Sequence, residues 1–154
     1  PGDGTTFGPD ATATGAQAMT CIYRREQAQG GGMQGAWMFL NPFDDVNLES
    51  YYGEAVTWAV ANGVTDGTTA TTFSPNATCT RAQIVTLLWR SQKSPAADSV
   101  NPFTDVAADA YYAAAVLWAV TNGITDGTSA TTFSPAANCT RAQIVTFLWR
   151  ALTE

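Results

Sequence analysis

The chain has no histidine, and only 13% of its residues are charged. Lysine occurs once, at Lys93, against six arginines. Without histidine, a Ser-His-Asp nucleophilic site and every imidazole-based metal site are excluded. The formal net charge of −6 offers no basic face for a phosphate backbone, so nucleic acid is not an expected partner. No apolar run approaches the roughly 18–20 residues that cross a bilayer, so membrane insertion is not expected, and no secretory leader is read in these residues. Three cysteines, Cys21, Cys79 and Cys139, are too few and too odd in number for a disulfide framework. Cys79 and Cys139 sit at the same place in two repeats, and equivalent residues of a rotational repeat lie apart unless they are near the axis. All three are therefore expected to be small buried hydrophobes. A polar surface of Thr, Ala, Asn, Gln and Asp with little charge fits a secreted protein better than a cytosolic one.

What is present is repetition. The block 41–90 returns as 101–150, a shift of 60, and 36 of the 50 aligned positions are identical. Asn-Pro-Phe-Asp-Asp-Val recurs as Asn-Pro-Phe-Thr-Asp-Val, and Thr80-Arg81-Ala82-Gln83 as Thr140-Arg141-Ala142-Gln143. A shorter third copy opens the chain: at a shift of 66, Phe7 falls on Phe73, Thr14 on Thr80, Gln17 on Gln83 and Arg24 on Arg90. The front half of the unit is absent from that copy, and the chain begins at Pro1, which reads as a fragment of something longer. A repeat of this length means one supersecondary unit used several times, each copy burying its apolar face against its neighbours. The expected organisation is a single domain over 1–154. It comprises a partial repeat at 1–27, a Gly-rich connector with an apolar end at 28–40, and full repeats at 41–93 and 101–152. Trp37, Met38, Phe39 and Leu40 are expected to cover core exposed by the missing helix, a face that could also serve self-association.

Each unit reads as helix, loop, helix. Tyr52, Ala55, Val56, Ala59 and Val60 recur at helical spacing, and Asn62-Gly63 supplies a left-handed C-terminal cap, repeated at Asn122-Gly123. Asp66-Gly67 and Asp126-Gly127 are tight turns, without the alternating oxygen ligands of a calcium loop. Phe73 and Phe133 return the loop to the core. Thr80-Arg81-Ala82-Gln83 is a capping box, in which Thr and Gln each bond the other's backbone N–H. The second helix is expected from Arg81 to about Arg90, with a matching start at Thr14. The fold class that follows is all-α: pseudo-threefold helix-loop-helix repeats around a central three-helix bundle.

Taken together, Phe-x-Asp-Val, Tyr…Ala…Trp-Ala…Asn-Gly…Asp-Gly, Phe-x-Pro and Thr-Arg-Ala-Gln-x-Val-x-x-Leu-x-Arg resemble the S-layer homology domain family. The resemblance covers nearly all of 41–150 twice and about half a unit before it. The family usually carries Glu where this chain has Gln83 and Gln143. The resemblance implies an extracellular module of the bacterial cell wall or surface, without cofactor or metal. It further implies non-covalent anchoring through secondary cell-wall polysaccharide, often pyruvylated.

Arg81 and Arg141 are the sharpest candidate contacts. An Arg just inside a helix N-terminus opposes the helix dipole and calls for a partner. That partner is either a ligand carboxylate, gripped by the guanidinium fork with help from nearby backbone N–H groups, or an internal Asp45 or Asp105. Trp58 and Trp118 can stack on sugar rings, but Trp at helical spacing is equally a core residue. Gln83 and Gln143 are cap residues that could add a ligand contact. The glycan-binding set is thus Arg81, Arg141, Trp58, Trp118, Asp45, Asp105, Gln83 and Gln143. Gly15 occupies the Arg position of the first copy, so its groove lacks that charge and is expected to be silent or weaker. No catalytic residue is expected, because Thr104 and Ala114 replace Asp44 and Glu54 in the last copy. The alternative reading is a structural or protein–protein interaction module without glycan binding.

Overall fold

The computed structural model describes residues 11–28, 41–97, 100–139 and 141–152. These contain five helices: α1 (Gly15–Ala28), α2 (Gly53–Ala61), α3 (Arg81–Ser91), α4 (Ala113–Thr121) and α5 (Arg141–Leu152). The expected apolar cover at Trp37–Leu40, the copy-one loop at Phe7, Thr140, and the side chains of Arg141 and Trp149 lie outside the described residues. Among the described residues there is no sheet, only isolated bridges pairing Thr14 with Thr78 and Thr80 with Asn138. No helix among them is long and apolar enough to cross a membrane.

The repeat closes on itself at three equivalent positions, each one residue before the helix-initiating Thr. The Ala13 N–H donates to the Cys139 carbonyl (2.9 Å), Cys79 N–H to Ala13 (2.8 Å), and Cys139 N–H to Cys79 (2.9 Å). Each copy gives one hydrogen bond and receives one, which is what rotational symmetry about an axis requires. Helices α1, α3 and α5 leave from this ring, and α1 packs against both of the others. The pseudo-threefold, all-helical centre is therefore observed.

Local chemistry explains where these helices start. Thr80 and Gln83 form both halves of the capping box, with Gln83 N–H donating to Thr80 Oγ1 at 3.1 Å and Thr80 N–H to Gln83 Oε1 at 2.8 Å. Thr14 and Gln17 repeat it at 3.2 and 3.0 Å. A helix start leaves four N–H groups without an intrahelical acceptor. Here the neighbouring copy supplies acceptors. In α1, Gly15 and Ala16 donate to Ala77 and Pro75 (both 2.9 Å); in α3, Arg81 and Ala82 donate to Ala137 and Pro135 (2.9 and 3.1 Å). These amides are committed to the fold, and the expected help from backbone N–H groups in gripping a ligand is not on offer at these positions.

Packing partners cross the sequence repeat. Helix α2 lies on α1 and α4 on α3, so the first helix of each full copy packs on the second helix of the copy before it. The loop following α2, and again that following α4, is long enough to carry the chain one step around the axis. One core cluster joins α1 to α2 through Met19, Ile22, Tyr23, Val56, Trp58 and Ala59. The other joins α3, α4 and α5 and takes in Phe133, Ile124, Val116 and all three cysteines. The cysteines form no disulfide among the described residues, and all three are buried. Burial pushes the Cys79 thiol up to about 11. It pushes Cys139 up to about 12, against an opposing pull from Arg81. Both remain protonated, apolar fillers at neutral pH.

Candidate functional site

The surface around each helix start is shaped by a loop held under strain. Ser74 and Ser134 have φ of 60° and 59°, a left-handed backbone that a residue with a Cβ adopts at a cost of about 1–2 kcal/mol. An aspartate clamps each one. Asp45 accepts from the Phe73 and Ser74 N–H groups, both at 2.8 Å, and Asp105 from Phe133 and Ser134 at 2.9 and 2.8 Å. Burial is the largest single influence on Asp45 and Asp105 and raises their pKa values, but the backbone donors together outweigh it and leave both below the usual carboxylate range. At Asp105 the nearby Arg81 charge adds to the lowering. The Phe beside each clamp packs on its partner from Phe-x-Asp-Val, Phe43 on Phe73 and Phe103 on Phe133, with ring centroids 5.8 Å apart in each pair. Gly67 and Gly127 (φ 83° and 86°) let those rings close. A Cβ on Gly67 would stand 2.4 Å from the Phe43 ring, and one on Gly127 2.5 Å from the Phe103 ring.

Arg81 leaves α3 into this frame and is only 4% exposed. Its Nε donates to the Phe133 carbonyl at 2.8 Å, and its guanidinium carbon lies 4.7 Å from the Phe133 ring centroid and 5.6 Å from that of Phe147. Desolvation lowers its pKa, opposed by Cys139 and Asp105. Neither Asp105 nor any other carboxylate of the described residues comes within 4 Å of it. The internal ion pair considered for Arg81 is not formed, because Asp105 is committed to the loop amides. One edge of the guanidinium is fixed by a carbonyl and two rings, and its terminal nitrogens have no protein acceptor among the described residues.

Two grooves result, related by the repeat. The Arg81 groove, about 250 Å³, is lined by Arg81, Asp126, Gln143, Thr146, Phe147 and Arg150. The Gly15 groove, about 430 Å³, presents Gly15, Asp66, Gln83, Thr86, Leu87 and Arg90 at the matching places. Only the Gly15 groove adds Tyr111, which is 60% exposed. Of the expected set, Arg81 and Gln143 come together in one groove and Gln83 lines the other. Trp58 and Trp118 line neither. They are 5% and 7% exposed in the core, Trp58 with its ring 5.6 Å from Tyr23, so the exposed aromatic at a groove is Tyr111. Asp45 and Asp105 act on the loop backbone outside the grooves. Thr86, Arg90 and Arg150 were not singled out from the sequence. The recurrence of Arg24, Arg90 and Arg150 at one repeat position was the available signal. Among the described residues no group of three Cys, Asp or Glu side chains is placed to hold a metal ion.

The S-layer homology domain model matches residues 42–85 and 102–145. The chain is 38% identical over 109 residues to a surface-layer 125 kDa protein of Lysinibacillus sphaericus, covering 71% of this chain and 9% of that protein. It is 34% identical over 116 residues to an endoglucanase of Bacillus sp. (strain KSM-635), covering 71% of this chain and 12% of that protein. The chain thus spans only about a tenth of each of these relatives. Matches at 42–85 and 102–145 fall on the two copies that carry the aspartate clamps and glycine turns, and the chain belongs to the S-layer homology domain family, a family of modules that anchor proteins at the bacterial cell surface.

Proposed function

We propose that this module anchors its parent protein by binding an acidic, pyruvyl-bearing secondary cell-wall polysaccharide, with the Arg81 groove taking the carboxylate. The observation that carries the reading is the state of Arg81. A guanidinium that is nearly fully buried, held on one edge by Phe133 and without a carboxylate partner, is desolvated and only partly offset by two aromatic faces and the charge of Asp105. A ligand carboxylate would supply two parallel charge-assisted hydrogen bonds, each worth about 1.5–3 kcal/mol. The fork is held because its Nε is bonded to the Phe133 carbonyl and its guanidinium lies beside two rings, so little rotamer entropy remains to be lost on binding. The acidity of the whole chain does not oppose this, since distant carboxylates are screened over about 8–10 Å. Gln143 and Arg150 line the same groove and extend the polar wall.

Arg141 and Gln143 form the matching pair of the last copy by sequence, and the same role is proposed for Arg141. The alternative, a structural or protein–protein interaction module without glycan binding, would be favoured by an Arg81 fully paired to Asp105, and the absence of that pair supports the glycan reading. Sedimentation of the protein with purified cell walls tests the proposal. Binding is expected to native walls and to fall at least tenfold after mild-acid removal of pyruvyl groups. Equal binding before and after would remove the carboxylate from the account.

A further inference from the structure

The chain holds two Asn-Gly pairs, Asn62-Gly63 and Asn122-Gly123, one at the end of α2 and one at the end of α4. Every other asparagine is followed by Pro, Leu, Ala or Cys. In a mobile chain Asn-Gly is the least durable of these pairings, because no side chain shields the glycine nitrogen. That nitrogen attacks the Asn side-chain carbonyl carbon and closes a succinimide ring. The bond to the side-chain amide breaks, and ammonia leaves with the proton given up by the glycine nitrogen. One water then opens the ring at either carbonyl. The product is Asp or, with one more atom in the backbone, iso-aspartate.

The fold blocks the first step in three ways. Asn62 and Asn122 both have ψ of 10°. At that angle the Gly nitrogen nearly eclipses the Asn's own backbone nitrogen. Cβ stands about a third of a turn away, so the side-chain carbon cannot reach the nitrogen that must attack it. Each carboxamide is also tied down, Asn62 Nδ2 to the Trp58 carbonyl at 2.9 Å and Asn122 Nδ2 to that of Trp118 at 2.8 Å. The attacking nitrogens are occupied as well. Gly63 N–H donates to Val60 at 3.2 Å and Gly123 N–H to Val120 at 3.1 Å. Asn62 is exposed and Asn122 half-exposed, so water has access to both and only this local geometry withholds the reaction. All of these bonds belong to one helix end, which opens at lower cost than the whole domain unfolds.

Reaction there would reach the grooves. The next residue in each copy, Val64 or Ile124, is buried and donates back to Ala59 or Ala119 at 2.8 Å, which pins the start of the following loop. Thr65, Asp66 and Gly67 of one loop line the Gly15 groove, and Thr125, Asp126 and Gly127 of the other line the Arg81 groove. Iso-aspartate lengthens the backbone immediately before that pin. Either product also replaces an amide donor with a carboxylate beside the last helix carbonyls, at the negative end of the helix dipole.

We propose that Asn62 and Asn122 are latent self-modification sites, held unreactive by the helix-end geometry and released when the last turn of α2 or α4 opens. Each release leads to an irreversible change that unpins the loop beside one groove, so the lifetime of each groove is set by the local stability of one helix end.

The full chain is incubated at mildly alkaline pH, folded and in denaturant, and peptide mapping by mass spectrometry scores conversion of each Asn. Both sites are expected to react at least tenfold faster in the unfolded chain, and equal rates in the two states overturn the proposal. Ala61→Gly, at an exposed position in the last turn of α2, separates local from global opening. Relative to the same variant unfolded, conversion at Asn62 should rise at least threefold while conversion at Asn122 stays unchanged. A rise at both sites, or at neither, overturns release by one helix end. Asn122→Asp, which installs the carboxylate directly, should melt lower than wild type. An unchanged melting temperature overturns the loss of the pin.

Discussion

The Gly15 and Arg81 grooves are one stretch of sequence used twice, and they differ where it matters for a ligand. Their frames are the same: an Asp clamp on a left-handed Ser, a Phe pair 5.8 Å apart, a Gly turn under the ring, and helix-start amides taken by the next copy. Their linings are not. Position one of the helix is Gly in one and Arg in the other, and Leu87 stands in one where Phe147 stands in the other. A repeat therefore separates two jobs. Residues that hold the loop recur in both full copies, while residues that project into the groove vary between them.

If the frames are equivalent, damage to either should cost the same. The largest effect is expected from Gly67→Ala and Gly127→Ala, each placing a Cβ into a phenyl ring at a positive φ. Each should lower stability by roughly 3 kcal/mol or more, through overpacking and backbone strain. Denaturant unfolding checks this, and a loss at one site but not the other would break the equivalence. Next come the clamps. Asp45→Ala and Asp105→Ala should each cost about 2–3 kcal/mol, since each leaves two loop amides without their acceptor.

The clamps also set a pH dependence. Both aspartates have folded pKa values below their unfolded ones, so their stabilisation is complete above the ordinary carboxylate pKa of about 3.9. It is lost as pH falls through the lowered folded values. The melting temperature should stay level from pH 7 to about pH 5 and drop below about pH 4. Asp45→Asn with Asp105→Asn should flatten that acid limb. The smallest effect belongs to the caps: Thr14→Ala and Thr80→Ala should each cost about 1 kcal/mol, and equally, since both boxes are complete.

Much of the frame was legible in the sequence because it depends on local rules. Thr-x-x-Gln predicts a capping box wherever it occurs at a helix start, and Asn-Gly after a helical stripe predicts a left-handed terminus, which Gly63 and Gly123 adopt at φ 70°. The threefold centre followed from one apolar helix face written three times. What was not legible depends on distant geometry. Each full copy looks like a self-contained hairpin, and nothing local shows that α2 packs on α1 and α4 on α3. Asp105 looked like a partner for Arg81. The left-handed Ser134 that claims it cannot be read from Phe-Ser-Pro, since Ser seldom takes that conformation. Trp58 and Trp118 were open between sugar and core until packing across the repeat placed them inside.

The central claim is that Arg81 reads the acidic substituent of the wall polysaccharide, and a two-by-two calorimetric comparison tests it most directly. Wild type and Arg81→Ala, both verified as folded by circular dichroism, are titrated with intact and with depyruvylated polysaccharide. The account predicts at least a tenfold loss of affinity for the intact polymer on substitution and no loss for the stripped one, the two changes coupling because they remove the same contact. An equal loss on both polymers, or no loss on either, would contradict it.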